Sequence, residues 1–246
     1  MKTARIVYAH PEPKSFVAAM RDTVQAALEA EGWSVTVSDL YARRFDPVAS
    51  ERDFQRRDDP GYLVYSLEQR HAFHHRALAP DIAEEVDALR AADLLVLVFP
   101  VFWFSVPAML KGWIDRVFLS GLFYRGKHVY DAGGMAGKKA MVVTSLGGRE
   151  HMFGPGAIHG DLHGMLRHLL QGTLGYVGYE VCEPFVAYHV PYVMPERRAA
   201  MLAELAQAVR GLEGRPCLPM PRRADFDDEF RPLASKDTHP QLSKLG

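Results

Sequence analysis

The stretch LLVLVFPVFWFS, Leu94 to Ser105, decides the fold. Its first half, Leu94 to Phe99, is an unbroken apolar run. A strand with one solvated face alternates polar and apolar residues, whereas one covered on both faces does not. The run therefore reads as the central strand of a parallel sheet, and the aromatic residues after it as a loop at that strand's carboxyl end.

Reading outward from it, residues 4 to 9 (ARIVYA) form a strand ended by His10-Pro11-Glu12-Pro13, and Ser15 precedes an apolar-periodic helix to Ala30. Gly32 stops that helix, and Trp33, Val35 and Val37 alternate with polar residues in a second, parallel strand ending at Asp39 and Leu40. Tyr41 to Leu78 is charged and histidine-rich, an excursion carrying at most short helices. Helices follow at Pro80–Ala91, Val106–Leu119, Asp161–Leu174 and Glu196–Leu212, with strands at Lys139–Ser145 and Tyr179–Tyr188. Five strands alternating with helices predict a doubly wound α/β domain over residues 1–212, its helices on both faces and its ligands beyond the carboxyl ends of the strands. Residues 213–246, rich in proline and charge, read as an irregular tail over the domain or over a partner subunit.

Composition narrows the partners. Lysine plus arginine number 29 against 30 aspartates and glutamates, so no overall field draws the chain to nucleic acid or an anionic membrane. No apolar run approaches the ~20 residues that span a bilayer, and the start of the sequence has no signal-peptide pattern. Membrane insertion is not expected. Cys182 and Cys217 lie far apart and in neither a CxxC nor a metal-ligand spacing, which signals neither a disulfide framework nor a zinc site and suits a reducing cytoplasm. His71, His74 and His75 share a helix-face spacing but have no acidic or cysteine partner with metal-site spacing, so they read as a solvated or dimer-facing helix and no metal is expected.

Three strand-end loops carry the chemistry. His10 to Phe16 offers a histidine, Lys14 and Ser15 just before a helix, where free N–H groups favour a phosphate. The loop is neither a Walker loop nor GxGxxG, and an ordinary helix cap with a proline turn fits the same residues. Pro100-Val101-Phe102-Trp103-Phe104-Ser105 suits the faces and pyrimidine edge of a flavin, although core or dimer contacts would also use such aromatics. Ser145-Leu146-Gly147-Gly148 lets the backbone approach a flat ring, or simply makes a tight turn. His159, ahead of a helix, is placed to donate a hydrogen bond to a ring that becomes anionic on reduction; by itself a lone histidine is more often structural.

The segment FPVFWFSVPAMLKGWIDRVF, Phe99 to Phe118, closely resembles the signature of the NAD(P)H:quinone oxidoreductases, flavodoxin-like enzymes that work as FAD-containing dimers. YAHPEPKSF, GWSVTVSDLYARRFDP, LAPDI, the SLGG loop and AIHGD have counterparts in the same order, so the resemblance covers residues 3 to about 212. It implies that His10, Ser15, Phe16 and Val17 hold the FAD phosphates and adjoining groups. Pro100, Val101, Phe102, Trp103 and Phe104 would line the isoalloxazine, with Ser145, Leu146, Gly147 and Gly148 along its pyrimidine edge and Phe153 beside it. Glu196 and Arg198 match positions that help hold the adenylate part. Tyr124 and His159 match residues lining the pocket, built across a homodimer interface, in which nicotinamide and quinone alternate over the flavin.

The chain departs from that family pattern in three places. Phe153 replaces a tyrosine of the animal members and cannot donate a hydrogen bond, which leaves His159 to act alone. Gly126 replaces a second pocket tyrosine, which widens the acceptor site. Around Val64 there is no glutamine to reach a partner's adenine, which keeps FMN open as the second option to FAD.

The expected activity is a two-electron, ping-pong transfer from NAD(P)H to a quinone or another small aromatic acceptor. His159, Tyr124 and Gly148 are the candidate catalytic residues. The alternatives are a regulatory flavoprotein subunit of a potassium efflux transporter and, less well matched, a single-electron carrier.

Overall fold

The computed structural model describes residues 1–233. Four long strands, β1 (Thr3–Tyr8), β2 (Ser34–Asp39), β3 (Leu94–Pro100) and β4 (Lys139–Ser145), lie parallel in the order β2-β1-β3-β4. β3 is central, pairing with β1 from Ala4↔Leu94 and with β4 from Leu94↔Lys139 to Pro100↔Ser145. Every residue of β3 is buried. Leu95, Leu97 and Phe99 enter the core on one face while Leu94, Val96 and Val98 enter the core on the other, which is why the run shows no alternation. Burial of this kind contributes about 1.5–3 kcal/mol per large apolar side chain.

The helices are α1 (Phe16–Ala30), α2 (Tyr65–His74), α3 (Pro80–Ala91), α4 (Ala108–Val117), the short α5 (Leu162–Met165) and α6 (Arg167–Leu169), and α7 (Pro195–Arg210). α1 and α7 cover one face of the sheet, and α3 and α4 the other.

Three expectations are corrected. The sheet has six strands, not five: the predicted final strand Tyr179–Tyr188 is two pieces, β5 (Glu180–Val181) and β6 (Phe185–Ala187), each pairing with β4. Pro184 between them has no N–H to give to a ladder, and here the C-terminal segment takes over: Glu183 N–H donates to Pro216 O (2.8 Å) and Leu218 N–H to Val181 O (2.8 Å). The Arg215 side chain adds bonds to Glu183 O (2.6 Å) and Pro184 O (3.0 Å). The sheet edge is thus covered by the chain itself.

The predicted helix Asp161–Leu174 is also divided. α5 and α6 give way to a π-helical turn, Leu170–Gly175, whose wider winding keeps Leu166, Leu169, Leu170 and Leu174 all buried; Gly164 and Gly172 weaken a regular helix here. In the excursion, α2 is ten residues long, more than the short helices expected. Two of its three buried residues, Glu68 and Gln69, are polar, which hides the helix from hydrophobic periodicity. Glu68 accepts N–H bonds from Asp58 (2.8 Å) and Asp59 (2.9 Å), and Gln69 bonds Asp115 O and Ser120 N–H. His71 pairs with Asp58 at 3.4 Å, and no cluster of three metal-ligating side chains occurs among the described residues. Nor is any helix there long and apolar enough to cross a membrane.

Beneath the sheet lies a buried charge network. Glu85 of α3, 0% exposed, accepts from Arg5 Nη2 of β1 (2.7 Å), Ser38 Oγ of β2 (2.5 Å) and Trp113 Nε1 of α4 (3.1 Å). One carboxylate thereby ties two strands and two helices together.

Candidate flavin site

The order β2-β1-β3-β4 reverses direction between β1 and β3, and the loops after β1, β3 and β4 open there, where such sheets bind ligands. They enclose a cavity of about 350 Å³.

The first wall is the start of α1. Ser15 caps the helix, its Oγ accepting from Ala18 N–H at 3.1 Å, while its own N–H is taken by Glu12 O at 3.1 Å. The N–H groups of Phe16 and Val17, in the first turn, donate to no acceptor among the described residues. His10 Nδ1 lies 3.0 Å from Glu12 N and 3.2 Å from Glu12 O, contacts that fix the ring at the cavity wall. Arg198, in the first turn of α7, reaches the same cavity half-buried and without an ion pair or side-chain hydrogen bond among the described residues. A cation and free helix N–H groups facing one hollow are the donor set of a phosphate site.

The second wall is the aromatic loop. Phe102 and Ser105 exchange two N–H···O bonds of 3.0 Å, enclosing Trp103 (φ 49°) and Phe104 (φ 60°) in a two-residue turn. Such turns favour asparagine and glycine, because both central residues sit at positive φ. Aromatic side chains there store strain of the kind that collects at ligand sites. The turn holds Trp103 95% exposed, with Phe102 and Phe104 about half out, as an uncovered shelf beside the cavity.

The third wall is Ser145 to Gly148. Neither Gly147 nor Gly148 donates its N–H within the described residues. A Cβ on Gly148 would stand 2.7 Å from Phe153 Cε2, so glycine is what allows that ring so close. Beyond Phe153 the rings continue to His159 (5.1 Å between centroids) and Tyr188 (5.9 Å), and Phe104 meets His159 edge-on at 5.4 Å. His159 is therefore held between the second and third walls. Burial, with Glu150 and Asp161 nearby, raises the Tyr188 phenol above its ordinary value and keeps it protonated.

Of the residues expected from sequence, His10, Ser15, Phe16, Val17, Pro100, Val101, Phe102, Ser145, Leu146, Gly147 and Arg198 line the cavity. Trp103, Phe104, Gly148, Phe153 and His159 lie outside the lining but continue it through the turn and the ring contacts above. Glu196 is exposed and not in the lining. Tyr124 is also absent from it. Tyr124 meets Tyr176 in a tilted ring contact, 5.5 Å between centroids, and burial, then Tyr176, raises its phenol.

Sequence reasoning missed Val190, Pro191 and Tyr192, which close the cavity from a fourth loop after β6. The position of that loop at a strand's carboxyl end was the available signal. It braces the third wall: His189 N–H donates to Gly148 O (2.8 Å), His189 Nδ1 to Gly147 O (2.9 Å) and Val190 N–H to Leu146 O (3.1 Å).

This sheet order and cavity define a flavodoxin-like protein, and residues 2–211 match the family described as flavodoxin-like fold. The chain belongs to that family and, within it, to the NAD(P)H:quinone oxidoreductases. It is 40% identical to NAD(P)H dehydrogenase [quinone] 1 of Cavia porcellus, over 82% of this chain and 74% of that one. It is 37% identical to ribosyldihydronicotinamide dehydrogenase [quinone] of Homo sapiens, over 88% and 95% of the two chains. A solved structure from Klebsiella pneumoniae, assigned as a quinone reductase, superposes with a TM-score of 0.87 at 31% identity, covering 92% of this chain and 91% of that one.

Proposed function

We propose that the chain is an NAD(P)H dehydrogenase (quinone) that holds FAD in this cavity and reduces quinones by two-electron, ping-pong transfer. The observation that carries the reading is the joining, at one hollow, of unpaired donors suited to phosphate with an exposed aromatic shelf suited to a flat ring system. The relatives above are named as dehydrogenases or reductases, and none as a transporter regulator.

The residues fit the cofactor. Phe16 and Val17 N–H, His10 and Arg198 would hold the phosphates, and Phe102 to Phe104 would lie along the ring. Gly147 and Gly148 N–H would meet its pyrimidine edge. Bound flavin supplies the chemistry of accepting a hydride from NAD(P)H and passing the electron pair to the acceptor. The protein's part is orientation and charge. Gly147 and Gly148 N–H, fixed by the His189 brace, favour negative charge at the pyrimidine edge, and His159 offers a ring N–H on the same side. Phe153 brings no proton, so His159 is the donor. Trp103 and its neighbours exclude water from one face. Tyr124, a protonated phenol outside the lining of its own cavity, fits the reading in which a second copy of the chain lends it to the partner's site.

The test is to release the chromophore by heat, identify it by chromatography, and follow anaerobic bleaching by NADH and recovery on adding a quinone. FAD that bleaches and recovers is the expected result; protein that takes up no flavin on reconstitution overturns it. Arg198→Ala should weaken FAD binding about 10- to 100-fold, the worth of a charge-assisted hydrogen bond. An unchanged affinity in a reconstitution titration would remove Arg198 from the site.

A further inference from the structure

Cys182 and Cys217, remote in sequence, face each other across the edge of the sheet. Cys182 follows β5, and Cys217 lies on the C-terminal segment paired antiparallel to it. The bonds Leu218 N–H to Val181 O and Glu183 N–H to Pro216 O flank the pair without involving either cysteine. Residues so placed form the non-hydrogen-bonded pair of an antiparallel ladder, whose Cα atoms are ~4.5 Å apart. That spacing falls within the ~4.4–6.8 Å that a disulfide spans. The two thiols are free, and the Cys217 thiol donates to Arg215 O at 3.9 Å. Cys217 is exposed and Cys182 buried, which gives an oxidant access to one thiol only.

We infer that the two cysteines form a reversible disulfide staple, closed by a peroxide-class oxidant, which fastens the C-terminal segment to the sheet edge. Cys217 thiolate attacks one peroxide oxygen and the O–O bond breaks, giving a sulfenic acid and hydroxide. Cys182 sulfur then attacks the sulfenic sulfur; the S–S bond forms, the S–O bond breaks, and the hydroxyl leaves with the Cys182 proton as water. Overall two thiols lose two electrons and two protons, and one peroxide becomes two waters. Burial, against the pull of Lys139 and Arg215, pushes the Cys182 thiol up and leaves the exposed Cys217 as the thiol that meets the oxidant first. A thiol reductant reopens the staple. The closed loop contains α7 and hence Arg198, so the staple constrains the segment that carries one wall of the cavity.

The experiment is to treat the purified, flavin-loaded full chain with hydrogen peroxide and map its peptides without reduction. A cross-linked pair holding Cys182 and Cys217 should appear, two hydrogens lighter than the sum. Dithiothreitol should restore both thiols, and the melting temperature of the oxidised form should rise by about 5–10 °C. Cys217→Ser, at an exposed position, should keep the fold and lose both the cross-link and the shift. Two surviving thiols, Cys217 carried on to sulfinic acid with no cross-link, or a disulfide between two chains would each overturn the inference.

Discussion

Glu85→Ala is expected to destabilise the fold by about 3–5 kcal/mol, the usual penalty for removing one partner of a buried ion pair. Arg5, 5% exposed, would be left as a buried cation, while Arg43, 3.7 Å from the same carboxylate through Nε, would keep its closer pair with Glu84 at 2.6 Å. Ser38 and Trp113 would lose their acceptor, and each stranded donor adds to the loss. The effect is on folding, because the network lies under the sheet and contributes nothing to the cavity lining. Urea titration of flavin-free protein measures it directly. A second variant separates burial of charge from packing: Arg5→Met combined with Glu85→Ala should recover a good part of the loss, since no charge is then stranded. A single-variant change below about 1 kcal/mol would mean that water reaches Arg5 once the carboxylate is gone.

His159→Ala should slow reduction of the flavin by NADH about 100-fold, the effect of removing one preorganised donor, ~3 kcal/mol in the transition state. Binding of the flavin should change little, because His159 is outside the cavity lining that holds the phosphate donors, its ring meeting Phe104 and Phe153. The prediction is a split between two measurements: anaerobic stopped-flow gives the rate and reconstitution gives the affinity. Equal rates in variant and parent would remove the histidine from catalysis. Equal losses in rate and affinity would make it a packing residue between two rings.

The parts of the fold legible in the sequence were those where one physical signal dominated. β3 announced itself by unbroken apolarity, α3 by Pro80 at its first position, and α1 by Ser15 at its cap. α2 was hidden because Glu68 and Gln69 occupy its buried face, where periodicity looks for apolar residues. The last strand was over-read because Val181, Phe185 and Val186 suggest continuity, while the segment that displaces the middle comes from beyond Leu212. The cavity followed the same division. The loops after β1, β3 and β4 are marked by their residues, whereas Val190 to Tyr192 enter through the loop after β6, whose composition carries no mark of a ligand. Cys182 and Cys217 show neither CxxC nor metal-ligand spacing and are free thiols in the structure; that they face each other across a sheet edge is visible only in the fold.

The turn at Trp103 and Phe104 sets a limit on how this chain can be redesigned. A procedure that sought only a more stable chain would write asparagine and glycine there, relieving strain of about 1–3 kcal/mol at each of two positions. The resulting protein should melt later and still fold around the same β3, yet it would have exchanged its aromatic shelf for a bare hairpin. Thermostability screens run without a flavin would therefore reward the loss of the very surface on which the proposed activity depends.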